Sequence, residues 1–417
     1  MDSLCQELHR TYNTNLLDRE SNLTQAVFLN ASEKNKDKSL GNTTLMRLIY
    51  NHYRVQKPMP RYIGGPSHLS NWYSKKYGKN IYLFGEFHEY KYDCSTFKSY
   101  DRRTGPQETM RIDDFLIQLM KTTDVFLDIF VESQPFQKEG EYPKLVQKAR
   151  TSGLSSKYIL TKTNVKLDKC ILFKNRHNKE CQLSRIHYID AREVHDESNI
   201  FIDFINSPYT VKTMREANEF LGRPKSKKIM EVFSGHADKI VHFMQKQLLK
   251  NFLVKKELNR SYLKDEIMAF AYEKIRITVE NFRAKIYRAN IDLKKDKLLY
   301  IYRLSAVILE LMVPLTDTYT LARMFKRFNV KKRAHKYDTD KVVNQPEEPH
   351  NIIVYAGLNH IKLYIQFLTY LKFNLVARSG YRNEHFGQDV NPSILANDDL
   401  SCVSLVGFPQ PFFTAIN

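Results

Sequence analysis

The chain has no uninterrupted apolar run approaching the roughly 20 residues that a bilayer-spanning helix needs, so the sequence predicts no transmembrane segment. Its first residues, MDSLCQELHR, carry acidic side chains and lack an apolar stretch of about 7–15 residues, which argues against a secretory signal there. The five cysteines (Cys5, Cys94, Cys170, Cys181 and Cys402) are odd in number and include no CxxC pair. That pattern predicts reduced thiols in a cytoplasmic setting, with neither a disulfide framework nor a zinc site. The sequons at Asn22 and Asn42 are then chance matches. Acidic residues are also in deficit: 46 aspartates and glutamates face 65 lysines and arginines, a net charge of +19 and a pI near 9.4. Such an excess favours nucleic acid or an anionic surface as a partner. It follows equally from the Lys, Asn, Ile and Tyr usage of an AT-rich genome, or from solubility, so charge alone names no site.

What is present suits a globular core: 42% of 417 residues are hydrophobic and 12% aromatic. Residues 1–45 are polar and without period and read as a lead-in. From residue 46 an apolar rhythm starts, and the run IYLFGEFH over Ile81–His88 reads as the first core strand. A helical pattern over Arg111–Lys121 and a second apolar run, Asp124–Glu132, follow, giving strand, helix, strand. A third strand is read over Ile186–Arg192, a fourth over Asn351–Ala356, a fifth over Phe373–Arg378 and a sixth over Ser401–Gly407. Near-unbroken apolar strands are expected where helices cover both faces of a sheet. The predicted fold class is therefore α/β, a central mostly parallel or mixed sheet flanked by helices. Residues 46–206 and 351–417 form its two parts, 207–330 a large helical insertion between them, and 331–350 an exposed linker. The strongest helical stretches in the insertion are 226–257, 261–294 and 296–328.

In an open α/β sheet ligands bind beyond the carboxyl ends of the strands. Here the first strand ends in Glu86 and His88, the second in Glu132, the third in Asp190 and Arg192, and the fourth leads through Gly357 and Asn359 to His360. One charged residue after a strand is ordinarily the chain meeting water. Four such ends on one sheet would converge on a single edge. Two histidines and two glutamates supply either a general acid and base or the ligands of a divalent metal. His360, near a helix amino end, is expected to be neutral, and Arg192 to stabilise negative charge.

These residues carry a resemblance to the superfamily of erythromycin esterases, ChaN-type haem-binding lipoproteins and TraB/TIKI membrane-linked proteases. The GExH-like motif is Gly85-Glu86-Phe87-His88, the second glutamate is Glu132 in IFVE, the arginine is Arg192 in YIDAR, and the late glycine-to-histidine motif is Gly357 to His360 in YAGLNH. The motif running from Thr316 to Arg323 is similar to one in related proteins of large DNA viruses, which adds Asp317 and Arg323 to Asp190 and Asn359 as secondary candidates. The resemblance spans about residues 78–380 as four short motifs. It implies a hydrolase of ester or peptide bonds acting on a small molecule or peptide, with Glu86, His88, Glu132, Arg192 and His360 as its catalytic set. It also implies that Glu86, His88, Glu132 and His360 would be the ligands of any zinc, manganese or iron. The competing expectation is a catalytically inactive viral interaction or virion protein that binds nucleic acid through its basic surface.

Other features read as structural. Ser234-Gly235-His236 falls inside a helical pattern and no GxSxG elbow accompanies it. Gly64-Gly65-Pro66-Ser67-His68 lacks the residues of a phosphate loop and reads as a turn. His187 reads as core, and Tyr287, Tyr300 and Tyr302 as residues that pack helices rather than stack bases. Lys225–Lys228 and Lys331–Arg333 read as solvated basic patches.

Overall fold

The computed structural model describes residues 60–87, 100–132 other than 124, 183–190, 201–328, 346–380 and 401–409, with Cys94, Ser95, Thr163, Leu167, Cys181, Phe412 and Phe413. His88, Arg192, the lead-in 1–45 and most of the linker 331–350 lie outside these residues. In chain order the strands are β1 (Tyr62–Gly64), β2 (His68–Ser74), β3 (Lys79–Glu86), β4 (Thr109–Arg111), β5 (Leu127–Val131), β6 (Ser184–Tyr188), β7 (Asn351–Gly357), β8 (Asn374–Gly380) and β9 (Cys402–Ser404). The helices are α1 (Ile112–Thr122), α2 (Ile202–Thr210), α3 (Met214–Gly222), α4 (Pro224–Phe233), α5 (Ala237–Lys250), α6 (Phe252–Leu258), α7 (Lys264–Lys295), α8 (Lys297–Leu311), α9 (Val313–Met324) and α10 (Leu358–Tyr370).

A six-stranded sheet in the order β6-β5-β7-β3-β2-β8 forms the frame. The four strands β6, β5, β7 and β3 are mutually parallel, so their carboxyl ends share one edge. The α/β class, a mixed sheet flanked by helices, is as the sequence predicts. Both faces are covered, which is why these strands are apolar at nearly every position. Ile81, Leu83, Phe130, Ile352, Val354 and Ala356 pack against the insertion helices and α10. Tyr82, Phe84, Ile129, Val131, Ile353 and Tyr355 pack against α1 and the phenylalanines Phe408, Phe412 and Phe413.

Three expectations are corrected. The stretch 401–407 does not close the main sheet; β9 pairs with β1 in a separate three-stranded sheet, β4-β1-β9. The segment after Gly65 is not only a turn, because β2 begins at His68 and pairs antiparallel with β3. Its polar residues hid it: His68 and Trp72 both bond the Ser70 hydroxyl (3.0 and 2.9 Å), and Asn71 donates to Asn80 (2.5 Å), so a buried strand carries half its positions as satisfied polar groups. Finally, the cysteines are not all reduced. Cys94 and Cys402 form a disulfide across a separation of 308 residues, and Cys181 is disulfide-bonded as well.

The insertion is helical as predicted, but it breaks more often. The stretch 226–257 is divided among α4, α5 and α6, with Ser234 and His236 in the link between the first two rather than inside a helix. Helix α3 opens with a capping box, in which Thr213 accepts the Glu216 N–H (3.2 Å) and Glu216 accepts the Thr213 N–H (2.9 Å). The stretch Lys297–Met324 is long and apolar enough to cross a membrane, yet it divides at Met312 and over half of it is buried within the protein, as a core helix pair would be. Residues 346–350 form an irregular loop at the amino ends of the strands, where the Pro349 carbonyl accepts from the Lys79 ammonium.

Candidate active site

The carboxyl edge of the parallel strands gathers a buried chain of three side chains from residues far apart in sequence. Glu132 follows β5 immediately, and by strand alternation it points to the face covered by the insertion, as Asp128 and Phe130 do. His360 lies in the first turn of α10, which springs directly from β7, the neighbour of β5. Asp317 comes from α9, laid across that same face. His360 Nδ1 meets Asp317 Oδ1 at 2.7 Å, and His360 Nε2 meets Glu132 Oε1 at 3.2 Å. Glu132 Oε2 accepts the Gly357 N–H at 2.7 Å. All three side chains are almost wholly buried.

This geometry fixes the charge of His360. Both ring nitrogens face carboxyl oxygens, an arrangement that favours a proton on each nitrogen and hence the imidazolium. Burial alone would lower its pKa, but the charges of Asp317 and Glu132 more than offset this and push it up to about 10. The expected neutral imidazole is therefore corrected: two carboxylates in contact outweigh a helix amino end. Burial acts on Asp317 in the opposite sense, raising its carboxyl pKa against the pull of His360. Asp317 and the buried hydroxyl of Tyr364 on α10 interact, although among the described residues neither Asp317 Oδ2 nor that hydroxyl makes a hydrogen bond of regular geometry.

Glu86 occupies the last position of β3, beside Gly357 of β7, and accepts from the Tyr355 hydroxyl. By strand alternation it faces the side of the sheet packed by α1, opposite to the side that carries Glu132. Gly85 has a steric role: a Cβ there would meet Leu358 Cδ1 at 2.9 Å and Ile361 Cγ1 at 3.3 Å, so glycine lets α10 lie directly on β3. Asp190, two residues past β6, accepts from Thr316 at 3.5 Å and so adjoins the helical turn that carries Asp317. Asn359 is exposed and lies outside the buried chain.

Arg323 stands elsewhere, although it shares α9 with Asp317. Six residues along a helix is about 9 Å of rise, which carries Arg323 toward the amino ends of the strands. There its Nη2 donates to His187 Nδ1 (2.7 Å), His187 Nε2 donates to Asp128 Oδ1 (2.7 Å), and Arg185 grips both Asp128 oxygens (2.6 and 3.1 Å). Arg323 also contacts Glu257, which Lys326 holds as well. His187 is core, as expected, but it is the centre of a polar network that sequence reasoning missed. The signal was present in the alternating LDIFV and SRIHY strands, whose Asp128 and His187 fall on one face. Because a guanidinium can only donate, His187 Nδ1 must be unprotonated, so the ring is neutral. Burial, aided by the Arg323 charge and opposed by the Asp128 hydrogen bond, pushes its pKa down to about 3.

Among the described residues no three His, Cys, Asp or Glu side chains are grouped to hold a metal ion. Of the four expected ligands, His88 lies outside the described residues, and Glu86 stands on the opposite side of the sheet from Glu132 and His360, so the described residues do not group the set that the resemblance implies. Fold and site together define a class: an α/β protein with a mostly parallel sheet and a carboxylate–imidazolium–carboxylate chain at its carboxyl edge. No family profile, curated protein or solved structure matches this chain.

Proposed function

We propose that the chain is a hydrolase of ester or peptide bonds, related to the esterase and protease superfamily that its motifs resemble, with its reaction centre at the carboxyl edge of β3, β5 and β7. The observation that supports this reading most is the Glu132–His360–Asp317 chain. Folding brings three ionisable residues together in a buried place, at the edge where α/β sheets bind ligands, and holds an imidazolium there that no packing requirement explains. Hydrolysis needs a group that takes a proton from water and returns one to the leaving group. Glu132 is suited to taking the proton, because its carboxylate is aimed by the imidazolium on one oxygen and by the Gly357 N–H on the other. Glu132 can also return that proton to the leaving group, whereas Glu86 lies on the opposite side of the sheet, paired with the Tyr355 hydroxyl. His360 and Asp317 are positioning residues, since neither nitrogen of His360 is free to take a proton. The disulfide bonds at Cys94, Cys181 and Cys402 favour an oxidising location such as a virion over the reducing host cytoplasm.

The test is a panel of ester and peptide substrates offered to the full chain and to Glu132→Gln, Glu86→Gln and His360→Gln. Loss of a general acid or base should cost about 100-fold or more in rate, with folding checked by circular dichroism. Full activity in Glu132→Gln would sink the assignment, and Glu86→Gln reports on the opposite face of the sheet.

A further inference from the structure

The insertion carries more than half of the excess charge of the chain. Residues 201–328 hold 25 lysines and arginines against 14 aspartates and glutamates. Within it the imbalance is sharpest over 281–304, with seven cations and two acids. Both acids are engaged internally: Asp292 is largely buried against Arg303 (2.5 Å), and Asp296 caps α8 by accepting the N–H groups of Leu298 and Leu299 (2.9 and 3.1 Å). The cations left over are not scattered. On α7, buried Ile286 and Ala289 mark the inner face, and helical spacing places Tyr287, Arg288, Ile291, Lys294 and Lys295 together on the outer one. Lys294 and Lys295 lie in the last turn, where they also offset the helix dipole. Tyr287 and Ile291 have no such reason to be there, and they are 68% and 39% exposed. The expectation that Tyr287 and Tyr302 pack helices is thus corrected; only Tyr300 is buried, and Tyr302 is 63% exposed.

We infer that this face of α7 binds single-stranded nucleic acid. A row of cations without acidic partners among the described residues matches a phosphate backbone, and an exposed tyrosine set within the row offers a ring on which a base can stack. Arg288, about two turns before the end of the helix, can reach phosphate or stack in its turn. The inference does not depend on the hydrolase reading, because α7 supplies no residue to the carboxyl-edge site.

The experiment is fluorescence anisotropy of a labelled 20-nucleotide oligothymidylate titrated with the full chain at several salt concentrations. Affinity should fall steeply with salt. In Arg288→Ala/Lys294→Ala/Lys295→Ala the slope of log affinity against log salt should shrink by about 2, since each lost single-strand contact removes roughly 0.7. Tyr287→Ala should weaken binding roughly tenfold, as the loss of one stacked base does. Glu132→Gln should bind like the parent, which separates this result from any failure of the hydrolase assignment. Absence of binding, an unchanged salt slope in the triple variant, or preferential capture by phosphatidylserine vesicles with Tyr287→Ala silent on the oligonucleotide would each overturn the inference.

Discussion

Two histidines, both buried beside carboxylates, are driven into opposite protonation states, and the cause lies in their second neighbour. His360 has a carboxylate on each nitrogen and is held charged; His187 has Asp128 on one nitrogen and a guanidinium on the other and is held neutral. The consequences for stability have opposite signs. With its pKa raised to about 10 from an ordinary 6.5, His360 contributes stability that is full below pH 6.5 and is lost as pH rises toward 10. With its pKa lowered to about 3, His187 resists a proton that the unfolded chain accepts, so stability is lost as pH falls from 6.5 toward 3. Histidine-selective NMR of the labelled protein should show one ring still protonated at pH 8 and another still neutral at pH 5, with His360→Gln deleting the first. A His360 that titrates near 6.5 would contradict the arrangement. Neither state was legible in the sequence, because Asp317 and Arg323 reach their histidines from 43 and 136 residues away.

At the scale of elements, α9 is the piece that joins the insertion to the sheet. Ten of its twelve residues are buried, including the polar Thr316, Thr318 and Thr320, two of which turn their hydroxyls back onto helix carbonyls (2.6 and 2.9 Å). Its amino-terminal half supplies Asp317 to the His360 chain and its carboxyl-terminal end supplies Arg323 to the His187 network. The motif from Thr316 to Arg323 is therefore one helix serving two places, which spacing alone does not distinguish from one site. Helix α10 depends on β3 in a similar way. Replacing Gly85 with alanine should crowd the Leu358 and Ile361 side chains, cost about 1–3 kcal/mol of stability as overpacking does, and shift His360 against Glu132. Thermal melts, together with a change in the high-pKa histidine signal, would show it; an unperturbed His360 signal in Gly85→Ala would refute the steric role.

Over the whole molecule, the Cys94–Cys402 disulfide ties the three-stranded sheet to a point 308 residues earlier in the chain. A bridge closing so long a loop is expected to contribute about 2–5 kcal/mol. Cys402→Ser, or the parent in excess reductant, should melt at a lower temperature than the oxidised parent. Coincident melts with and without reductant would show that the pairing contributes nothing. The sequence by itself determined the α/β class, the helical insertion, and the strand ends at Glu86, Glu132 and Asp190 that precede the turns, because these follow from local period and composition. Only the tertiary structure decided that β7, last of the parallel strands in the chain, lies between β5 and β3, that Cys94 meets Cys402, and that Asp317 completes the site. Those are contacts between segments that no local pattern encodes. They arise when both faces of the sheet must be covered at once, and that requirement places the late strand, and His360 after it, beside Glu132.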